Sequence, residues 1–582
     1  MALCTMCLVA SSDACAQQYG IRVNGADYYA ASYEGEDPFG EGFDQYLAHV
    51  YMHAGDYCQL YDAGNEAAWV VPLNTSSVNV FTLQNDRYMC AVDGCYDFYI
   101  KLKYQNDQLY IGAGEDCNST PQDPGTTVTP GDFTSAVPSQ CMDVMLQAFY
   151  WDSYQDKGFG DTKWQTLSGQ VNEIGQSFDL VWLPPSHESQ GGLGYIPKCY
   201  SSQSSTALGK KAALQSLISG LHNNGVRVIA DIVINHCGNN NSACDFKFLD
   251  FGEYGQFSPK SEWMTSNDEG VTSYHCTGGS NADDGQHEAN YGPARDWDHK
   301  NTNVQNMCKA YLKWMKNVML YDGFRYDYAG GYHVSHINDY NSEAKPYFSV
   351  IEYWVGDAAE LKTRIDQANQ NTLAFDFSLK YNALRDGIYL KNYTKCKSAG
   401  MRGKGYSKYA VTFVDNHDTF ARGSDNEDVA NKRDGSSVND KSLMMRTNAY
   451  ILSLPGVPCV FYPHWVKYKS EIQAMIRARK AAGIHSESTM TEEAGTGYYR
   501  ATVQGKYGSV MLMLGTAAND AAPQGYTKAV KGDDYAMYYT GNGQGIENAE
   551  VEQHGEKFLK DGQLFIRRGD KVYDTMGRKV NY

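Results

Sequence analysis

The chain has little positive charge. Only 50 Lys and Arg stand against 68 Asp and Glu over 582 residues, a formal net charge of -18, and no long basic run interrupts the acidity. Attraction to a nucleic acid needs clustered cations, so that class of partner is excluded, whereas a neutral polysaccharide imposes no charge requirement. Long apolar runs are missing too: nothing approaches the ~20 apolar residues of a membrane span. The N-terminus lacks the basic residues that usually open an export signal. Its first ten residues are nevertheless apolar and lead into Ala14-Cys15-Ala16, a small-x-small pattern typical of a cleavage site. Residues 1–16 are therefore read as a signal segment, with a secreted or cell-surface destination by bacterial export. Of the 15 Cys, 12 lie beyond that segment, and export permits disulfides among them. Cys90 with Cys95, and Cys237 with Cys244, are near enough in the chain to pair or to remain buried thiols.

Aromatic residues, in contrast, are plentiful, with 45 Tyr and 9 Trp. Flat rings stack on the apolar faces of sugars, although most aromatic residues simply fill cores. The length exceeds what one core supports, so several domains are expected. In residues 17–117, Phe98, Ile100, Leu102 and Tyr104 alternate with Tyr99, Lys101 and Lys103, which predicts an antiparallel β-sandwich carrying thirteen Tyr between positions 19 and 110. Residues 118–138 lack periodicity, are rich in Pro, Thr and Gly, and read as an extended linker.

Beyond position 139, strand-like runs alternate with helices. Strands are expected at Val144–Trp151, Leu180–Pro185, Val226–His236, Gly323–Tyr328, Tyr347–Trp354, Thr372–Phe377, Ala410–Asp418 and Val457–Tyr462. One helix presents Leu214, Leu217, Ile218 and Leu221 on a single face and stops at Gly225. Another, after Asn303, carries Val304, Met307, Cys308, Tyr311, Leu312 and Met315 at helical spacing. Eight strands interleaved with helices make a (β/α)8 TIM barrel, an α/β fold, over 139–482. From 483 to 545 the pattern is all-β, a C-terminal antiparallel domain, and 546–582 reads as a β tail.

Four segments end an apolar run in a polar cluster: Ala-Asp-Ile-Val-Ile-Asn-His (230–236), Gly-Phe-Arg-Tyr-Asp-Tyr-Ala-Gly-Gly (323–331), Ser-Val-Ile-Glu-Tyr-Trp (349–354) and Phe-Val-Asp-Asn-His-Asp-Thr (413–419). The catalytic end of a parallel barrel strand reads this way, because its apolar part is buried and its polar tip faces the substrate. In that order and spacing the four resemble the strand ends of the α-amylase family, glycoside hydrolase family thirteen. Over roughly residues 140–540 the likeness is closest to plant-type amylases, through the segments beginning at Gln147, Val181, Ala410 and Ala449. It implies a small domain B at about 237–300 and a retaining, endo-acting hydrolase of α-1,4-glucosidic bonds in starch and related α-glucans. An α-glucan transglycosylase and a non-catalytic starch-binding surface protein are the alternatives on the same scaffold. The sandwich resembles starch-binding modules in size and aromatic content, and a monomer is expected.

By resemblance, Asp327 is the nucleophile, Glu352 the general acid and base, and Asp418 the carboxylate that grips sugar hydroxyls. The residues themselves add two arguments. Arg325 lies two positions before Asp327, so both point to one face of a strand and the guanidinium should keep Asp327 ionised. The apolar surroundings of Glu352 should raise its pKa. His236 and His417 are expected to donate hydrogen bonds to the sugar, and Tyr195 to offer a stacking platform. Asp231 is read as support from beneath. The likeness further implies a structural Ca2+ held by Asn235, Asp296 and the backbone carbonyl of Gly331, with Asp283 and Asp284 as further carboxylates nearby. Gly330 stands where relatives have Lys or Arg, and Pro463 where they have Asp.

Overall fold

The computed structural model describes residues 131–204, 207–282, 284–286, 291–420 and 438–541, together with Val128, most of 19–113 and four short strands between 556 and 580. The chain divides at Thr127/Val128 into two compact units.

The first unit is a sandwich. One sheet holds Tyr19–Val23, Asp27–Ala30, Tyr57–Asp62, Ala67–Trp69, Phe81–Gln84 and Arg87–Cys90, and the other holds Ser32–Glu36, Asp44–Met52, Leu73–Ser76, Gly94–Leu102 and Gln108–Ala113. Alternation decides which residues face inward. Ile21, Val23, Cys58, Leu60 and Cys90 from one sheet meet Tyr46, Ala48, Val50, Phe98, Ile100, Leu109 and Ile111 from the other in one core. Tyr99 and Tyr110 pair across the opposite, outward face. Tyr104 lies outside the described residues.

The second unit is built on a closed parallel barrel. Its strands are β1 (Met145–Gln147), β2 (Leu180–Leu183), β3 (Arg227–Ile232), β4 (Gly323–Tyr326), β5 (Phe348–Ile351), β6 (Leu373–Phe375), β7 (Ala410–Phe413) and β8 (Val457–Phe461), with β1 pairing both β2 and β8. The strands are almost wholly buried, as a barrel wrapped by helices demands. The expected helices run Lys211–Asn223 and Thr302–Asn317, and their apolar faces are buried as the spacing required. Gly225 takes φ +73° beyond the first of them. Every strand stops short of its expected polar end, so the polar clusters emerge as loops at the mouth of the barrel.

Between β3 and the helix Thr302–Asn317 the chain makes the inserted domain B from short pairs: His236–Cys237 with Arg295–Asp296, and Leu249–Asp250 with Gln256–Phe257. So little regular structure needs other ties. Cys244 and Cys276 form a disulfide across 32 residues, and the buried Asp268 accepts from Gly270 N, Asp296 N and Arg295. A five-stranded antiparallel sheet spans Met490 to Tyr539, and four antiparallel strands make up the tail.

Two expectations need correction, and one of the two readings left open for Cys90 is settled. Cys244 pairs with Cys276 rather than Cys237, which is a buried thiol. Its Sγ is spent on the carbonyl of Pro197, 3.2 Å away. Cys90 is likewise a buried thiol, one of the two readings open to it, and donates to Val92 O at 3.1 Å. Finally, the C-terminal part of the expected linker belongs to the barrel unit. Val128, Ala136 and Val137 are buried, Ser349 N donates to Ala136 O at 2.9 Å, and Asp132 pairs with Lys316 and Lys345. A low-periodicity segment can still be ordered when neighbouring elements supply partners for its backbone. Residues 118–127 lie outside the described residues.

Candidate active site

Side chains from β3 and from the loops leaving β4 and β5 converge on one guanidinium. Arg325, the third residue of β4, is fully buried. Its Nη1 donates to Asp231 Oδ1 at 2.8 Å and to Asp327 Oδ1 at 2.6 Å, and its Nη2 lies 2.8 Å from Glu352 Oε1. The alternation of β4 sets the first arrangement, because residues two apart share a face. Neighbouring parallel strands supply the rest, with Asp231 in register with Arg325 across β3 and β4.

One cation cannot satisfy three buried carboxylates. Burial is the largest influence on each, and it outweighs the opposing attraction of Arg325. Glu352 is pushed up to about 8, with Asp327 and Asp418 adding repulsion; Asp327 rises to about 7 and Asp231 to about 6. This alters the expectation for Asp327, whose carboxyl the guanidinium restrains without bringing it back to the usual carboxylate range. Glu352 and Asp327 both resist ionisation through burial, and each keeps a contact with a different nitrogen of Arg325. That pair can act as acid and nucleophile.

Asp418 follows a tight turn in which Asn416 Oδ1 accepts from the amides of Asp418 and Thr419 at 3.0 and 2.8 Å. Its carboxylate is partly open, and its Oδ2 lies 3.1 Å from His417 Nε2. Gln147 Nε2 donates to His417 Nδ1 at 3.0 Å, so Nε2 carries the proton that faces Asp418. Tyr195 anchors its hydroxyl on Asp231 Oδ2 at 2.8 Å. Its ring lies 5.0 Å from His417 and 5.9 Å from Trp151, within 9° of parallel to each.

His236 departs from expectation. Its Nε2 donates to Tyr195 O at 2.9 Å, and its Nδ1 accepts from Asn235 Nδ2 at 3.3 Å. Burial lowers its pKa to about 4, so the ring is neutral at physiological pH. With both nitrogens committed, it holds the Tyr195 loop instead of presenting a free donor to a sugar. Its face stacks on Tyr291 at 4.0 Å.

Asn235, Asp296 and Gly331 adjoin one another. Asn235 Nδ2 donates to Asp296 Oδ1 at 3.1 Å, and a Cβ at position 331 would fall 2.2 Å from Asn235 Oδ1, so only glycine fits there. Their donors are amide, carboxylate and carbonyl oxygens, the set that suits a hard cation such as Ca2+. Among the described residues no cluster of three or more His, Cys, Asp and Glu side chains forms a metal site. Asp284 is committed elsewhere, to His333 N, Lys300 and His336, and Asp283 lies outside the described residues. Gly330 accepts from Gln286 N at 2.9 Å, and Pro463 falls in the first turn of the helix Tyr462–Lys467, where no amide donor is needed.

Comparison with known proteins agrees with this architecture. Residues 171–350 match the model of the α-amylase catalytic domain. Probable alpha-amylase 2 of Arabidopsis thaliana is 30% identical over 422 residues, which cover 68% of this chain and 94% of that protein. The chain belongs to the α-amylase family. It is an α-amylase-type glycoside hydrolase acting on α-glucans. The glucan 1,4-alpha-maltotetraohydrolase of Stutzerimonas stutzeri is 23% identical over 471 residues, covering 74% of this chain and 79% of that enzyme. Among solved structures, the cyclomaltodextrin glucanotransferase CldA aligns with a TM-score of 0.51 at 15% identity, covering 69% of this chain and 99% of that one, a likeness of fold.

Several members of this α-amylase-family site escaped the sequence reading. Trp151 stands in the segment beginning at Gln147, where a signal was present without an assigned role. Trp182, whose Nε1 donates to Asp231 at 3.1 Å, was legible only as a core residue. Tyr328 stood in the segment 323–331 without an assigned role, and Tyr291 carried no signal. Tyr328 has φ +48° and gives its amide to Glu352 Oε2 at 3.1 Å, while Tyr291 comes from domain B.

The raised carboxyls link stability to pH. Asp327 and Glu352 bind protons more tightly in the folded chain than in the unfolded one, so their stabilising contribution is complete below about pH 4 and is lost as pH rises through about 7 to 8. Glu352→Gln is therefore expected to lessen the fall in melting temperature between pH 5 and pH 8, by the equivalent of about 1 kcal/mol or more. Scanning calorimetry across that range checks this, and an unchanged slope would contradict the raised Glu352.

Proposed function

We propose that the protein is a secreted, retaining, endo-acting hydrolase of α-1,4-glucosidic bonds in starch. The observation that supports this most directly is the placing of Asp327 and Glu352 on the two terminal nitrogens of one buried guanidinium. A retaining mechanism needs two carboxyls close together, one charged and one protonated. In the first step Asp327 Oδ attacks the anomeric carbon while Glu352 gives its proton to the departing glycosidic oxygen, leaving a glycosyl ester on Asp327. In the second, Glu352 takes a proton from water, whose oxygen attacks the same carbon and releases Asp327. The carboxylate of Asp418, oriented by His417, would hold sugar hydroxyls, and Tyr195 and Trp151 would flank the ring. The disulfide of domain B suits an oxidising compartment and so favours secretion.

Asn235, Asp296 and Gly331 would hold Ca2+, whose contribution is structural: it would join domain B to the barrel beside the cleft. The sandwich, with Tyr99 and Tyr110 outward, would keep the enzyme near insoluble starch and raise the effective substrate concentration.

Incubation with amylose should yield short maltooligosaccharides whose fresh reducing ends are α-configured. Products longer than the donor would indicate transglycosylation, and no products a binding protein. Asp327→Asn should reduce turnover by about 10^4-fold or more while leaving binding intact; retained turnover would falsify the nucleophile assignment. Chelation with EDTA should lower the melting temperature by several degrees, and an unchanged melting curve counts against the Asn235–Asp296–Gly331 site. Deleting residues 17–117 should weaken adsorption to starch granules with little change in turnover on soluble substrate; undiminished adsorption would remove the sugar-binding role of the sandwich.

A further inference from the structure

Three residues before Asp418 stands a buried carboxylate that the proposed chemistry does not use. The Asp415 side chain is 0% exposed, as are its two neighbours, Lys380 and His464. Lys380 Nζ donates to Asp415 Oδ1 at 3.0 Å and to Val414 O at 2.6 Å, and His464 Nε2 lies 3.2 Å from Asp415 Oδ2. The three come from different places in the barrel. Lys380 opens a π-helical segment, Lys380–Tyr389, that follows β6; Asp415 follows β7; His464 lies in the helix directly after β8. One carboxylate thus ties the C-terminal ends of three consecutive strands.

A continuous set of hydrogen bonds leads from this cluster to Asp418. Thr419 Oγ1 donates to Asp415 Oδ1 at 3.3 Å and accepts from Asn416 N at 3.1 Å, while Asn416 Oδ1 accepts from Asp418 N. Stability alone is a poor reason to enclose such a pair, because desolvating two charges generally offsets their attraction. The charge state also sets Asp415 apart. Burial pushes its carboxyl up, but Lys380 and His464 together bring it below the usual carboxylate range, whereas Asp231, Asp327 and Glu352 are all raised. Asp415 is a fixed anion in a fixed place.

We infer that Lys380, Asp415 and His464 are positioning residues that fix the Asn416–Thr419 turn and thereby the place of the Asp418 carboxylate. This rests on the reading of Asp418 as the group that grips sugar hydroxyls. Misplacing such a group by about 1 Å costs on the order of 100-fold in rate.

The experiment is a mutant cycle on maltooligosaccharide hydrolysis with the full chain. The double variant Lys380→Met, Asp415→Asn removes both charges and keeps their volumes. Its kcat is expected to fall about 10- to 100-fold, and the same pair of changes should cost almost nothing further when added to Asp418→Asn. Full activity in Asp418→Asn alone would overturn the underlying reading of Asp418. Impaired Asp418→Asn beside a double variant with native kcat would overturn the positioning role and leave that reading standing. Losses that multiply in the triple variant would also overturn it, because the cluster would then act by another route. Should the double variant not fold, Thr419→Val removes only the hydroxyl link. It is expected to lower kcat several-fold in the native background and not in Asp418→Asn, and native kcat in Thr419→Val would overturn the inference.

Discussion

The site depends on a single buried cation shared among three carboxylates. Arg325 is enclosed by Trp182 and Tyr195, with its guanidinium 5.0 and 5.9 Å from their rings, and Asp231, Asp327 and Glu352 surround it. Removing a guanidinium from water is costly unless anions accompany it, and enclosing three carboxylates is costly unless a cation does. Neither set would be buried without the other. The imbalance of charge gives the site its chemistry, because at least one carboxyl is driven to keep a proton near neutral pH.

Around that centre the polar groups are supported in layers. Asp231 is held by Arg325, Tyr195 and Trp182, and so forms the floor beneath Asp327 and Glu352. His236 links the Tyr195 loop to Asn235, and Asn235 in turn meets Asp296 of domain B. On the opposite flank of the sequence, Asp415 joins the ends of β6, β7 and β8 under the turn that carries Asp418. Each loop is thus restrained by a partner from a different strand end, so the precision of the site comes from the closed barrel rather than from any one loop.

Much of this was legible in the chain. The eight strands, the two long helices and the all-β C-terminal region follow from periodicity, because burial on both faces of a parallel strand leaves an unbroken apolar run. Arg325 and Asp327 could be paired from strand geometry alone, since residues two apart point the same way. The apolar neighbours of Glu352 indicated a raised pKa for the same reason that the folded structure raises it. Other features had no local signature. Cys244 finds Cys276 through a domain of short strands whose path no pattern predicts. Residues 131–138 look like a linker yet pack on the barrel, because their partners, Lys316, Lys345 and Asn371, are supplied by distant elements.

Local sequence by itself determined the barrel and the order of its strands, since burial pattern and side-chain direction act over a few residues, and the carboxylates at their ends were singled out by resemblance to the α-amylase family. Only the tertiary structure decided how those groups share charge and protons. Burial raises Asp327 despite Arg325, His236 commits both nitrogens inside the protein, and Asp415 stays ionised beside Lys380. Each outcome turns on the number of opposite charges enclosed with a group, a quantity set when separate strands close into one barrel.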